Sequence, residues 1–284
     1  MNKSIKAALI AVIFSLSFLV IPKAYADVSL NASTNWSGYA VEQGTYTGVS
    51  GTFVMPELSY STTLASNATW VGIGGRGSAD LIQAGVYEIA NSDGATYQAW
   101  YELLPEDSTP VNLAVHPKDS ISVAIIETSA DIWNIVITNN TTKQQFAKTV
   151  QYHSLHSSAE WIQERAQVNG VLAPLSGFTP VPFTGATAVQ NGQRLAISQM
   201  NPQMINLLDT GNTTVALAVP SAINADGTSF SVFRTSAVAT AVPAASTIQT
   251  IPFSQIPPYL LRRTGHDIFP LIPGSSWILR YFPQ

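Results

Sequence analysis

Short runs of β-branched and aromatic residues, broken at intervals of roughly 8–12 positions by Gly, Pro, Asn or Ser, constrain this chain more than any other feature. No stretch sustains the 3.6-residue apolar period of an amphipathic helix. The rhythm is clearest at the centre, where 120–126, 131–138 and 144–150 read as strands. Thr128-Ser129-Ala130 and Asn139-Asn140 supply the turns of an antiparallel meander. Upstream, 46–55 reads as a strand stopped by Pro56, and 58–67 as a Ser/Thr-rich loop. Strands are expected over 69–73 and 81–89, with a Gly-rich loop at 74–78 between them. Asn91-Ser92-Asp93-Gly94 is a strong turn, and a strand over 96–104 is closed by Pro105. Runs at 194–198, 213–219 and 229–234 continue the pattern. The expected fold class is therefore all-β, a sandwich or barrel. Residues 158–167 alone have mild helical character. As a strand they would place Glu160, Ile162 and Glu164 on one face and Trp161 and Gln163 on the other.

The two ends differ from this middle. Residues 1–26 carry Lys3 and Lys6, an apolar run over 7–21, then Ala24-Tyr25-Ala26, which together read as a secretory signal peptide. The run is interrupted by Ser15 and Ser17 and ended by Pro22, too short for the ~20 residues of a membrane span. A secreted, extracellular protein is expected, with no integral membrane segment in the mature chain. There is no cysteine, which excludes disulfides, thiolate catalysis and cysteine-ligated metals. The main domain, 27–234, must then hold by burial alone. Removing 1–26 takes three lysines and no acid, leaving 10 basic against 17 acidic residues. That balance offers no cationic surface for nucleic acid. Charged residues make up only 11% of the chain, so few carboxylates are available to destabilise the fold on protonation in acid. From 235 to 284 the text changes: 7 of the 17 prolines lie there among many large apolar residues. This is expected to be a Pro-rich apolar extension packed on the main domain.

The inventory for chemistry is small. His153 and His156 could be paired with Glu160 as metal ligands, but strand alternation sets the two histidines on opposite faces, so no metal site is expected. No Gly-x-Ser-x-Gly elbow is present. Gly72, Gly74, Gly75 and Gly77 lack the Gly-Lys-Ser and the helix of a phosphate cradle, and read as a tight β–β connection. What remains is polar side chains embedded in apolar text: Gln83, Glu102 and the pair Glu160/Glu164. A carboxylate flanked by aromatics loses hydration, its pKa rises, and such groups cluster at functional sites. On these residues alone three readings stay open. They are a hydrolase acting on peptides, a glycosidase using two carboxyls, and a carbohydrate- or surface-polymer-binding sandwich whose tryptophans form a stacking platform.

Five segments narrow this. Asn35-Trp36-Ser37-Gly38, Ala68-Thr69-Trp70-Val71-Gly72-Ile73-Gly74-Gly75, Leu81-Ile82-Gln83-Ala84-Gly85, Trp100-Tyr101-Glu102-Leu103-Leu104-Pro105 and Ala159-Glu160-Trp161-Ile162-Gln163-Glu164 occur in that order. In this the chain resembles the glutamic peptidases, the eqolisin family, over roughly 35–234. The resemblance implies a β-sandwich of two curved antiparallel sheets, a concanavalin-like jelly roll. It also implies a secreted, acid-acting, pepstatin-insensitive endopeptidase that takes polypeptide substrates, works without a cofactor or metal, and is a monomer. Carried over by position, the catalytic pair falls on Gln83 and Glu164, not on Glu160. Glu102 becomes a supporting group in the cleft, and Trp36 and Trp70 line it. The family's Trp-Val-Gly-Ile is commonly followed by Asp, whereas position 74 here is Gly. Asp80 is the candidate to supply the missing acid. The extension from Thr235 has no counterpart in the family core.

Overall fold

Along the central meander every second side chain is buried: Ile121, Val123 and Ile125 on one strand, Trp133, Ile135 and Ile137 on the next. Ser122, Ala124, Asn134 and Thr138 between them stay half-exposed. This two-residue period is what lets a strand cover a core on one side and meet water on the other. The computed structural model describes residues 30–235, apart from 169, 213 and 214. The expected signal peptide and all but the first residue of the C-terminal extension lie outside the described residues.

The strands are β1 (Leu30–Ser33), β2 (Trp36–Val41), β3 (Tyr46–Val54), β4 (Ala65–Gly74), β5 (Leu81–Asn91) and β6 (Gly94–Leu103). They continue with β7 (Thr109–Pro110), β8 (Ser120–Ser129), β9 (Ile132–Asn139), β10 (Gln144–Gln151), β11 (Ala159–Arg165) and β12 (Gln167–Val168). The last are β13 (Val171–Leu172), β14 (Val181–Gln190), β15 (Gln193–Ala196), β16 (Gln203–Leu208), β17 (Ala216–Pro220) and β18 (Phe230–Arg234). Hydrogen bonding runs in the order β10-β9-β8-β3-β14-β18-β17-β16-β2-β11-β4-β5-β6-β7. One layer of the sandwich is β10-β9-β8-β3-β14-β18 and the other is β2-β11-β4-β5-β6-β7, with β17 and β16 carrying the path between them. Terminal strand β10 is largely exposed and polar.

The core between the layers takes Phe53, Val123, Ile125, Ile135, Phe183 and Phe230 from the first, and Val71, Ile73, Ile82, Val86 and Trp161 from the second. Trp161 ties them together, its Nε1 donating to Ser50 O at 2.9 Å. A side chain on Gly51 would place its Cβ 2.8 Å from the indole, so the ring seats directly on backbone. The second layer differs from the meander in one respect. All of β2 and β4 and nearly all of β11 are buried on both faces. Their outward side carries a second apolar cluster that includes Trp36, Trp70, Tyr87, Trp100 and Ile162.

Several expectations need correcting. Residues 65–67 belong to β4, not to the Ser/Thr-rich loop. Of the two readings of 158–167 the strand holds, over Ala159–Arg165, because its alternation gives both faces a buried partner. Strands β14 and β16 were not anticipated. In β14, Pro182, Gly185 and a register shift between Thr184 and Thr187 mask the alternation. In β16 only Ile205 is β-branched. A 3-10 turn, Ile197–Gln199, ends the run that begins at 194. Among the described residues no helix is long and apolar enough to cross a membrane.

Replacing Trp161 with Ala removes the bridge between the layers and leaves a ring-sized void. Urea unfolding is expected to show a loss of about 3–5 kcal/mol, whereas Trp161→Phe, which keeps most of the volume, should lose less.

Candidate active site

Register decides which side chains meet on the outward face of the second layer. Glu160 on β11 is opposite Gly72 on β4, Gly72 is opposite Gln83 on β5, and Gln83 is opposite Glu102 on β6. Glu164 lies four residues further along β11, opposite Trp36 on one side and Ala68 on the other, with Tyr87 beyond Ala68. An even offset keeps a residue on the same face, so Gln83, Glu102, Glu160, Glu164, Trp36 and Trp70 all share it. Sequence alternation had placed Glu160, Ile162 and Glu164 together against Trp161 and Gln163, and the strand has that arrangement.

Two hydrogen-bonded pairs organise this face. Gln83 Nε2 donates to Glu102 Oε2 at 2.6 Å. A carboxamide has two N–H donors, so one remains to point elsewhere. Trp70 Nε1 donates to Glu164 Oε2 at 2.7 Å, and Asn35 Nδ2 reaches Glu164 Oε1 at 3.4 Å. Trp36 packs edge-on against Trp70 with ring centroids 5.1 Å apart, and Tyr87 stacks on Trp100 at 4.6 Å. Glu160 is different: neither of its carboxyl oxygens has a hydrogen-bond partner among the described residues.

Burial sets the electrostatics. It pushes Glu164 well above the ordinary glutamate range, the Trp70 N–H opposes that, the charge of Glu102 adds to it, and Asn35 opposes it again. The same Glu102 charge thus reaches Glu164 from the Gln83 side. Burial also raises Glu160, with Ser158 and Arg76 opposing and Glu42 and Asp80 adding. Glu164 therefore has two donors that favour its ionised form, and Glu160 has none of comparable geometry.

Gly74, where an acid was looked for, has φ +95°, and a Cβ there would stand 2.3 Å from the Asp80 carbonyl oxygen. No side chain fits that backbone. Asp80 itself spends its carboxylate on Ser154 Oγ at 2.8 Å and Leu155 N at 2.9 Å. These and the Ser78 hydroxyl outweigh burial and hold it below the usual range. The Gly-rich segment is a β–β connection, joining β4 to β5. His153 and His156 face Asp131 at 3.1 Å and Glu127 at 2.9 Å respectively.

Sequence reasoning gave no role to Asn35, Tyr87 or Trp100. Asn35 was the first residue of a motif already in view, and Tyr87 follows Gln83 and Gly85 at strict alternation. Those two signals were readable. The contact between Trp100 and Tyr87 needed the β5–β6 register.

Residues 34–231 match the Peptidase A4 family, and the chain belongs to that family, the eqolisins. Aspergillopepsin-2 from Aspergillus niger is 29% identical over 192 residues, 58% of this chain and 68% of that protein. Scytalidopepsin B from Scytalidium lignicola is 29% identical over 200 residues, 64% of this chain and 75% of its own length. Among solved structures, scytalido-glutamic peptidase bound to a transition-state analogue inhibitor matches with a TM-score of 0.62 and 25% identity, covering 71% of this chain and 98% of that one. Aspergilloglutamic peptidase from Aspergillus niger matches with a TM-score of 0.54 and 26% identity, covering 60% and 99%.

Trp70→Phe keeps a ring and deletes the N–H that favours ionised Glu164. Carboxyl 13C NMR titration is expected to show the Glu164 midpoint moving to still higher pH in the variant.

Proposed function

We propose that this chain is a secreted, acid-acting endopeptidase in which Glu164 activates the attacking water and Gln83 stabilises the tetrahedral intermediate. The observation that carries the reading is the pairing on one sheet face. Glu164 is held by Trp70, Gln83 is held by Glu102, and the Glu102 charge is close enough to act on Glu164.

A peptide carbonyl is a poor electrophile, so the site must raise the nucleophilicity of water and stabilise charge on oxygen. Ionised Glu164 takes a proton from water as the water oxygen bonds to the carbonyl carbon. The carbonyl oxygen gains negative charge, and the free N–H of Gln83 donates to it without titrating. The proton on Glu164 then passes to the amide nitrogen as the C–N bond breaks, restoring the carboxylate. By accepting from Gln83, Glu102 fixes which way the carboxamide points. Trp36 and Trp70 wall the site and thin its water, which strengthens both interactions. Residues 1–26 support secretion by their basic start, apolar centre and small residues before the cleavage point. Insensitivity to pepstatin, monomeric state and independence of metal and cofactor follow from family membership as parts of the same proposal.

The sign of the pH dependence is fixed by the base. Activity is lost as pH falls through the Glu164 value, because the protonated acid cannot accept the water proton. That value lies above the ~4.3 of a free glutamate. The ascending limb of kcat/KM against pH is therefore expected at weakly rather than strongly acid pH.

Digestion of an unfolded protein at a series of pH values from about 3 to neutrality, with pepstatin present, tests the assignment both where a free glutamate titrates and above it. Wild type should cleave and Glu164→Gln should not. Gln83→Ala should lose roughly 10²–10³ in kcat, the usual effect of removing one oxyanion donor. Glu160 stands across Gly72 from Gln83, so Glu160→Gln is the decisive control. If it abolishes cleavage while Glu164→Gln spares it, the base is Glu160. No cleavage by wild type anywhere in the acid range would favour a binding sandwich instead.

A further inference from the structure

On the inward face of the same strands, directly behind Trp70 and Glu164, lies a buried polar cluster that the peptide chemistry does not use. Glu88 on β5 is opposite Asn67 on β4 and Tyr97 on β6, and Thr69 on β4 is opposite Gln163 on β11. Glu88, Asn67, Thr69 and Gln163 are all 0% exposed. Thr69 Oγ1 is in hydrogen-bond contact with both Glu88 Oε1 and Gln163 Oε1. Gln163 Nε2 donates to Glu88 Oε2 at 3.1 Å, and Asn67 Nδ2 donates to the same oxygen at 3.3 Å. Asn67 also donates to Ser176 Oγ at 2.7 Å and accepts from Ser176 N at 3.0 Å.

Counting hydrogens settles how this cluster closes. A threonine hydroxyl has one hydrogen, yet Thr69 Oγ1 faces two acceptor oxygens. If Thr69 donates to Gln163, the contact with Glu88 needs a hydrogen from Glu88. If it donates to Glu88, two lone pairs face each other at Gln163. Turning the Gln163 carboxamide over does not help, because its oxygen then faces Glu88 Oε2 and that contact needs the carboxyl hydrogen. In either orientation every contact is satisfied only when Glu88 is a neutral acid.

We propose that Glu88 is a positioning residue, a protonated carboxylic acid whose hydrogen completes the network pinning β4, β5 and β11 behind the catalytic face. Thr69 and Gln163 immediately precede Trp70 and Glu164 in the chain, so the network fixes the two backbones that carry the candidate base and its hydrogen-bond donor. Loss of the proton opens a contact between β4 and β11 at that point. The surroundings agree. Burial pushes Glu88 up to about 7, with Thr69, Gln163 and Asn67 opposing, and no cation among the described residues acts on it. Tyr97, the titratable neighbour on β6, is itself raised by burial and by the Glu88 charge, and donates its hydroxyl to Pro56 O at 2.8 Å. Arg165, in the same row beyond Asn67, gives its Nε–H to Ala173 O at 2.6 Å.

A carboxyl whose folded pKa lies above its unfolded value stabilises the fold in acid, and that stability is lost as pH rises toward the folded value. The window here runs from the ordinary 4.5 to about 7. The effect on catalysis rests on the peptidase reading above, but the effect on stability does not. The test uses the full chain. Glu88→Gln supplies a permanent N–H to Thr69 and keeps an oxygen for Asn67 and Gln163, so it mimics the protonated acid. The folding constant of wild type relative to Glu88→Gln is expected to fall about tenfold per pH unit across that window. With a peptide substrate, the variant should retain activity further into the neutral range than wild type. Assigned carboxyl 13C NMR of the unmodified protein should show Glu88 protonated at weakly acid pH and titrating near neutrality, which needs no variant to fold. Parallel stability curves for the two proteins, or a Glu88 carboxyl already ionised at weakly acid pH, would overturn the proposal. Absent peptidase activity with the stability and NMR results intact would remove only the link to catalysis.

Discussion

Strands β2, β4 and β11 have no solvent side. In most antiparallel sheets one face meets water, and a polar residue there costs nothing. Here the outward face is buried as thoroughly as the inward one, so each polar side chain on these strands must find a partner or change its protonation. That single constraint produces both features that matter for function. The carboxylates become poor acids, and their geometry is dictated by a handful of hydrogen bonds instead of by solvent. The apolar cost of the arrangement is carried on the inward side, where Val71, Ile73, Ile82, Val86 and Trp161 join the inter-layer core.

The buried glutamates of this layer answer the constraint in different ways. Glu164 collects N–H donors from an indole and a carboxamide, an environment that tolerates a charge. Glu160 has no indole or amide donor at hydrogen-bond distance among the described residues, and only the nearby Ser158 hydroxyl and the Arg76 charge oppose its burial. Glu88 is enclosed by amides and a hydroxyl whose hydrogens do not suffice unless it contributes its own. Three identical side chains, two on β11 and one on β5, are thereby set apart by the hydrogen-bond partners each one meets.

Much of this was legible beforehand. The meander over 120–150 declared itself because its strands are one-sided and its turns contain Asn and Ser. Gln83, Glu102 and Glu164 stood out as polar residues inside apolar runs, and the resemblance to the glutamic peptidases gave them roles that spacing alone could not. What sequence hid was lateral. Alternation says that Glu160 and Glu164 share a face, but only register reveals that Glu160 is opposite Gly72, with Gln83 on the far side of that glycine and Glu164 four residues along β11. Strands β14 and β16 escaped notice because a proline, a bulge and unbranched side chains blurred their period. Glu88 was overlooked although it interrupts the series Ile82, Ala84, Val86, Ala90, whose other members all face the core. A polar residue at an inward position was a readable signal, while its partners Gln163 and Thr69, on two other strands, were not.

One edge of the sandwich ends in β10, where Lys148, Gln144, Gln145 and Gln151 are exposed and only Phe146 and Val150 lean inward. An unpaired strand is a template for any extended chain that drifts past, and a protein that handles extended polypeptides meets them constantly. A charged, amide-rich rim gives such a visitor no greasy row to lie against. At this edge, an extended chain that drifts past finds little against which to add itself, strand upon strand, into an aggregate.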